Sequence, residues 1–427
     1  MAVILFSAGS NSHGQLTTNT NQQDIHHFEE AARFLPLSSS SSRVVSSAAG
    51  GRHALFLTCH SELYGCGDGS QGQLPPSSYR IPPPPPDGDT HTALAQINYK
   101  KLILHSPHID PQLQQTLVNK YRPVQVAACW ETSFIVLSCH PELGPEESLI
   151  YDDHILAFGS NNLLVRGSAA PALLDHPSLP NLVELPSKSQ HQSQTGRRTI
   201  RLHASCRHLI ALVAHQGSMQ LVGWGAARHG QLGPALTARS VTPCVLPLTF
   251  PSGPTTTFES VKIALGNQHT VVVCPTQIWC WGSNRHGQLP PSLHALPPAD
   301  ILELQASWNA TFLILQQPNS PGHKRLLGYG SNSHGQLLSH DPSLTCLDRL
   351  ILSSFSHLVS GSEHLLIANL LYDRHEVWGW GWNEHGNLGS DPALSTSLFK
   401  PIFRLQPSHK ISHLLAGCAT SFIFCSL

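Results

Sequence analysis

The sequence predicts an all-β fold: a seven-bladed β-propeller with one blade completed by strands from both chain ends. Three observations predict it. A glycine turn of one type recurs seven times, a second signature precedes the turns, and the two are out of phase at the chain ends. Self-similarity at a roughly fixed period outranks any local signal when a fold is read.

The turn is clearest in Gly282-Ser-Asn-Arg-His-Gly-Gln-Leu289, Gly330-Ser-Asn-Ser-His-Gly-Gln-Leu337 and Gly9-Ser-Asn-Ser-His-Gly-Gln-Leu16. Looser copies start at Gly67, Gly225 and Gly381, and a degenerate one runs from Gly159 to Gly167. The preceding signature reads Gly-x-x-His. Gly50–His53, Gly266–His269 and Gly361–His364 fit it well. Ser205–His208 loses the Gly, and Cys129–Thr132, Ser307–Ala310 and Gly417–Thr420 lose the His. Each is followed by a short apolar run, such as Val271–Val273 or Phe422–Phe424. Runs of that length, rich in Val, Ile and Phe and bounded by Gly, read as buried strands.

Each repeat runs from the Gly-x-x-His element to the Gly-Gln-Leu turn. The Gly417 element has no turn after it, and the Gly9 turn has no such element before it. One blade built from both ends removes open sheet edges. The repeats then span 43–75, 121–167, 198–233, 258–290, 301–338 and 354–390, with the split blade at 409–427 plus 1–16. The opening Met1-Ala-Val-Ile-Leu-Phe6 is read as its first strand.

Segments 17–42, 76–120 and 168–197 lie between repeats and are expected to be mobile insertions. They hold Ser38–Ser42, Pro82–Pro86 and a Ser/Gln stretch, and such tracts build no core of their own. A short helix is predicted near Pro111–Lys120. The whole chain is read as one domain.

Charged residues make up 12% of the 427, and the formal net charge is −1. That balance argues against the basic face that phosphate backbones require, so no direct nucleic-acid partner is expected. No 18-residue apolar span occurs, so no membrane helix is expected. The 11 cysteines are an odd number without a Cys-x-x-Cys pair. They predict free thiols and a reducing compartment, the cytoplasm and also the nucleus.

The Gly-x-x-His histidines look like ligands, but their equivalents include Thr132, Ala310 and Thr420. Equivalent positions on separate blades do not converge as a metal site demands. A buried hydrogen bond fixing the strand entry is the expected role. No His-Glu-x-x-His, Gly-x-Ser-x-Gly or phosphate-loop motif occurs, so no catalytic set, cofactor or metal is expected.

The paired signatures resemble the regulator of chromosome condensation repeat family, whose members form seven-bladed propellers. Gly50–Thr58, Leu63–Asp68 and Trp378–Asn387 look most like its fungal alpha-tubulin suppressor (killer-toxin-insensitivity) branch. That resemblance implies a non-enzymatic propeller that binds a small zinc-binding electron carrier. The carrier serves diphthamide synthesis and, through it, Elongator-dependent tRNA wobble uridine modification. The wider family implies an alternative, guanine nucleotide exchange on a Ran-type GTPase.

The candidate partner site rests on tryptophans that the repeat does not require. Trp130 and Trp308 occupy a variable position of the Gly-x-x-His element, and Trp382 stands where other turns carry Ser. Aromatics on a rim are typical interface anchors. Glu131 and Glu384 beside them are expected to meet a basic patch. Trp378 and Trp380 are expected to pack between blades.

Overall fold

A computed structural model describes residues 3–18, 23–34, 43–75, 94–140, 152–163, 165–168, 177–186, 197–234, 236, 240–251, 255–317, 319–320, 322–371, 374–391 and 396–426. Its seven antiparallel sheets are the blades of a β-propeller. The described residues fall into two compact units. Unit one holds those up to Val44 and from Pro251 onward, and unit two those from Val45 to Phe250. The first two strands, β1 (Val3–Ser10) and β2 (Asp24–Phe34), belong to unit one.

Unit two carries three blades. The first is β3 (Val44–Ala49), β4 (His53–Thr58), β5 (Leu63–Gly67) and β6 (Ala95–Ile97). Helices α1 (Tyr99–Leu104) and α2 (Pro111–Lys120) follow. Asp110 caps α2 by accepting from the Gln112 and Leu113 N–H groups at 2.9 and 3.1 Å, and Pro111 opens its first turn. Leu102, Ile103 and Leu117 bury against Leu57, Leu63 and Leu137 of the strands. The next blade is β7 (Tyr121–Ala128), β8 (Thr132–Cys139), β9 (His154–Gly159) and β10 (Asn181–Leu182). The last is β11 (Arg198–Ala204), β12 (His208–His215), β13 (Ser218–Gly225) and β14 (Ser240–Val245).

Unit one carries four. They begin with β15 (Lys262–Leu265), β16 (His269–Cys274) and β17 (Gln277–Gly282), a three-stranded blade. Then come β18 (Ile301–Ala306), β19 (Ala310–Gln316), β20 (His323–Gly330) and β21 (Cys346–Leu352). The third is β22 (Phe355–Ser360), β23 (His364–Leu371), β24 (Arg374–Gly381) and β25 (Thr396–Arg404). The fourth joins both chain ends in the order β2-β1-β27-β26, with β26 (Lys410–Ala416) and β27 (Thr420–Ser426). Val3 faces Ser426 and Gly9 faces Thr420, so the split blade predicted from the two half-repeats is present.

The segments read as insertions differ from expectation. Residues 17–42 supply β2, residues 76–120 supply β6 and both helices, and residues 168–197 supply β10. Each of these three strands is the outer strand of a blade. Strands β6 and β10, of three and two residues, are too short to show a periodicity, whereas β2, with 11, lies hidden within a polar stretch. The helix at Pro111–Lys120 is where the sequence placed it. Ser38–Ser42, Pro82–Pro86 and the polar stretch at 187–196 lie outside the described residues.

The second strands are the core. Phe134–Leu137, Leu209–Leu212, Val271–Val273, Phe312–Leu315 and Phe422–Cys425 are buried. Each such Val, Leu, Ile or Phe contributes about 1.5–3 kcal/mol on burial.

Candidate functional site

In every blade the two signatures meet at one end. The Gly-x-x-His element closes a two-residue loop: Gly50 N–H donates to His53 O, Gly266 to His269 O and Ser307 to Ala310 O, all at 2.9 Å. His53 lies opposite Gly67, so the loop that opens β4 and the turn that follows β5 share an end. The residue after the turn glycine then donates to the loop. Ser331 N–H reaches Asn309 O and Trp382 N–H reaches Glu363 O, both at 2.9 Å. This contact requires the glycine. At Gly330 φ is +127°, and an added Cβ would run into the Asn309 carbonyl oxygen.

The rest of the turn is self-satisfying. Asn332 Oδ1 accepts from Leu337 N–H at 2.7 Å, and Gln336 Oε1 accepts from His334 N–H at 2.8 Å. Asn284 and Gln288 do the same, at 2.7 and 2.9 Å. The Gly-x-Asn-x-x-Gly-Gln-Leu pattern is therefore a closed hydrogen-bond unit whose His and second residue are left for other uses. Even the degenerate turn keeps the Asn bond, from Arg166 N–H to Asn161 Oδ1 at 3.1 Å. Arg166 there fills the Leu position. Its buried guanidinium donates to Asn181 Oδ1 (2.9 Å), Gly159 O (3.2 Å) and Leu179 O (2.6 Å).

Three of the Gly-x-x-His histidines make a buried hydrogen bond, as expected, but it ties one blade to the next instead of fixing the strand entry. His208 Nδ1 instead meets Ser205 Oγ of its own loop at 2.8 Å. His53 Nε2 lies 3.0 Å from Ser133 Oγ, His269 Nε2 3.1 Å from Thr311 Oγ1, and His364 Nε2 3.0 Å from Ser421 Oγ. Ser133 Oγ donates to Gln73 O at 2.6 Å, so it accepts from His53. That fixes a neutral ring with Nε2 protonated and Nδ1 a buried lone pair without a partner. Burial lowers the pKa of all three rings from 6.5 to about 4.

On unit one the loops join into a hydrogen-bonded platform. Asn267 N–H donates to Trp308 O (3.0 Å), Trp308 N–H to Ser362 O (2.9 Å) and Ser362 N–H to Gly417 O (3.1 Å). A buried carboxylate sits in it. Glu363 Oε1 accepts from Asn309 Nδ2 at 3.0 Å, and Oε2 accepts from Gln336 Nε2. Desolvation raises its pKa, opposed by these two hydrogen bonds and by His334 and His286 nearby. Beside it, half-buried Trp382 lies 6.1 Å from the His334 ring and edge-on to His385 at 5.3 Å. Its indole N–H donates to exposed Glu384 at 3.2 Å, and His385 Nδ1 is 3.0 Å from Asp24 Oδ1.

Of the five residues predicted from sequence, Trp308, Trp382 and Glu384 thus share the loop end of unit one. Trp130 and Glu131 occupy the equivalent loop end of unit two. There Trp130 N–H donates to Cys206 O at 3.2 Å, and Gly51 N–H to Trp130 O at 2.9 Å. The Trp130 ring lies so close over Gly51 that a Cβ at 51 would meet it at 2.8 Å. Trp130 therefore spends part of its surface on the neighbouring loop. Trp380 is fully buried, with its N–H on Gln336 O at 2.8 Å, as a core residue should be. Sequence reasoning missed Glu363, Asn309 and Gln336. Glu363 holds the same repeat position as Glu131, so aligning the repeats column by column would have found it.

Among the described residues no group of three or more His, Cys, Asp or Glu is placed to hold a metal ion. No helix among them is long and apolar enough to cross a membrane.

Comparison with known proteins agrees with the repeats. The family model of the regulator of chromosome condensation (RCC1) repeat matches residues 44–73 and 261–288. A mouse protein named secretion-regulating guanine nucleotide exchange factor is 25% identical over all of this chain and 84% of its own length. The mouse RCC1 domain-containing protein 1 is 31% identical over 48% of each chain. Among solved structures, Prp20p of Saccharomyces cerevisiae, described with its binding to Gsp1p and histones, superposes with a TM-score of 0.68. It is 17% identical, and the match covers 100% of this chain and 92% of that one.

Proposed function

Because this chain belongs to the regulator of chromosome condensation repeat family, we propose that it is a protein-binding propeller whose loop end on unit one takes a small GTPase of the Ran type and promotes its nucleotide exchange. The observation that carries this reading is the platform itself. Two half-buried tryptophans, Trp308 and Trp382, flank a carboxylate held by Asn309 and Gln336. Aromatic anchors supply desolvated contact area at little entropic cost. Exposed Glu384, held by the Trp382 indole N–H, offers an acceptor to a partner Lys or Arg, and such charge-assisted bonds are the strong ones. The similarity over all of this chain to a relative named as a guanine nucleotide exchange factor supports exchange as the activity. Exchange needs no covalent step and no catalytic residue in this chain. A protein that binds the empty GTPase more tightly than the loaded one drives nucleotide off by linkage.

A second reading keeps the same scaffold and changes the partner. The Trp378–Asn387 segment resembles the alpha-tubulin suppressor branch, which favours a small zinc-binding electron carrier of the diphthamide pathway and, through it, Elongator. Either partner is met in the cytoplasm or nucleus, and the 11 free thiols fit such a reducing compartment. Release of a fluorescent guanine nucleotide from a Ran-type GTPase, read beside calorimetry with the zinc carrier, separates the two. Acceleration of release supports the first reading. Carrier binding without acceleration replaces it with the second.

A further inference from the structure

Among the described residues, six of the seven sheets have four strands, and the β15–β17 blade has three. Elsewhere the third strand gives its outward backbone groups to a fourth. Gly330 N–H donates to Thr345 O (3.1 Å), Gly159 N–H to Pro177 O (2.7 Å), and Leu221 and His375 carbonyls accept from Leu246 and Leu405 (2.9 and 3.0 Å). On β17 the equivalent residues are Ile278, Cys280 and Gly282. Ser283 N–H donates to Gln268 O, so alternation turns Trp281 and Trp279 toward β16 and these three outward. None of the three makes an outward backbone hydrogen bond among the described residues.

Two further features mark this edge as open. The third strand is buried from Leu221 to Gly225 in one blade and from Leu326 to Gly330 in another, whereas Trp279–Gly282 are half-buried. Four blades carry Gly at the Cys280 position: Gly65, Gly223, Gly328 and Gly379. A Cβ at Gly223 would meet Leu246 of its outer strand segment at 3.1 Å. Cys280 has the room that a missing strand leaves.

Among the described residues, the segment that follows β17 does not fill the gap. Residues 290–300 carry Pro290, Pro291, Pro297 and Pro298 and fold into 3₁₀ turns at Pro291–Ala295 and Pro298–Asp300. They send Leu293 into the core and bring exposed His294 to 3.1 Å from Cys280 Sγ, a side-chain contact only. From 276 to 299 there is no Asp or Glu, and exposed Arg285 and His286 stand just past the C-terminal end of β17.

We propose that β17 is a docking edge for an extended acidic peptide of a protein partner, added as a fourth antiparallel strand with its acidic N-terminal end against Arg285 and His286. Strand addition takes its affinity from main-chain bonds and its direction from such flanking charge. Its main-chain edge is β17 itself, while Arg285 and His286 belong to the turn at the loop end of unit one.

The probe is a capped synthetic peptide, Glu-Glu-Thr-Val-Thr-Val-Thr-Val-Thr, with a control carrying both Glu at the C-terminal end. Amide hydrogen exchange of the intact protein is the primary readout. Cys280 N–H should exchange fast in the free protein and Gly328 N–H slowly, and saturating peptide should slow Cys280 by at least about tenfold. Anisotropy should show weaker binding of the control. Cys280→Pro removes the outward donor, at a position where edge strands tolerate proline, together with the thiol contact to exposed His294, so it should abolish binding and keep the melting temperature close to wild type. His294→Ala, which clears the edge, should strengthen binding. No protection of Cys280 by the peptide in the wild-type protein would overturn the proposal. So would protection that grows with protein concentration and no peptide, since the occupant would then be a second copy of the chain.

Discussion

The imidazole of His364 reaches the hydroxyl of Ser421, 3.0 Å away on the strand formed near the chain's C-terminal end. Both groups are buried, and this bond acts with those from Ser362 N–H to Gly417 O and between His385 and Asp24 to tie the β22–β25 blade to the blade that holds both ends. Removing the ring leaves a cavity and a stranded hydroxyl. His364→Ala should cost about 2–5 kcal/mol in urea unfolding. In a double-mutant cycle with Ser421→Ala, a coupling of about 0.5–3 kcal/mol is expected, and additive effects would show that the bond carries nothing.

The buried histidines also predict an acid-labile fold. His53, His269 and His364 have folded-state values of about 4 against 6.5 for the free ring. On acidification the unfolded chain takes up protons first. Their contribution is complete above pH 6.5 and is lost as the pH falls toward 4, at about 1.4 kcal/mol per pH unit for each ring. Unfolding free energy measured across that window should fall steeply. A flat profile from pH 7 to 4 would mean the rings titrate normally.

Two turn glycines with the same sign of φ should respond differently to alanine. Gly14 has φ +70° and nothing near its missing Cβ. Gly330 has φ +127° and the backbone of Asn309–Ala310 against it. Gly14→Ala should cost about 1–2 kcal/mol, the left-handed penalty alone. Gly330→Ala should cost well over about 3 kcal/mol, since backbone must move. Thermal melts of the two variants give the comparison.

Most of the fold was legible because the repeat is a hydrogen-bonded unit. Asn332, Gln336 and Gly330 are each fixed by one backbone group, so they recur wherever the turn does. The outer strands were not legible. Asn181–Leu182 pairs with Ala157 and Leu156 through backbone alone, and side-chain pattern carries no trace of that. The site was half legible. Trp308 and Trp382 stand out as departures from the repeat, whereas Glu363 passes for an ordinary surface acid until Asn309 and Gln336 are seen to hold it.

Strand β1 should be indispensable. It lies between β2 and β27, and Phe6 packs on Phe403 with ring centres 4.9 Å apart. Deleting residues 1–8 removes the middle of that sheet and leaves β27 with an open edge. Loss of cooperative melting is expected, and an unchanged melting temperature would refute it.

The claim that the loop end of unit one is a partner surface is tested most directly by nucleotide release with the Trp308→Ala/Trp382→Ala variant. Wild-type protein should accelerate release of a fluorescent guanine nucleotide from a Ran-type GTPase. The double variant, with its melting curve close to wild type, should lose at least about 30-fold of that acceleration, as two hot-spot residues would. A folded double variant that accelerates release as well as wild type would contradict the account.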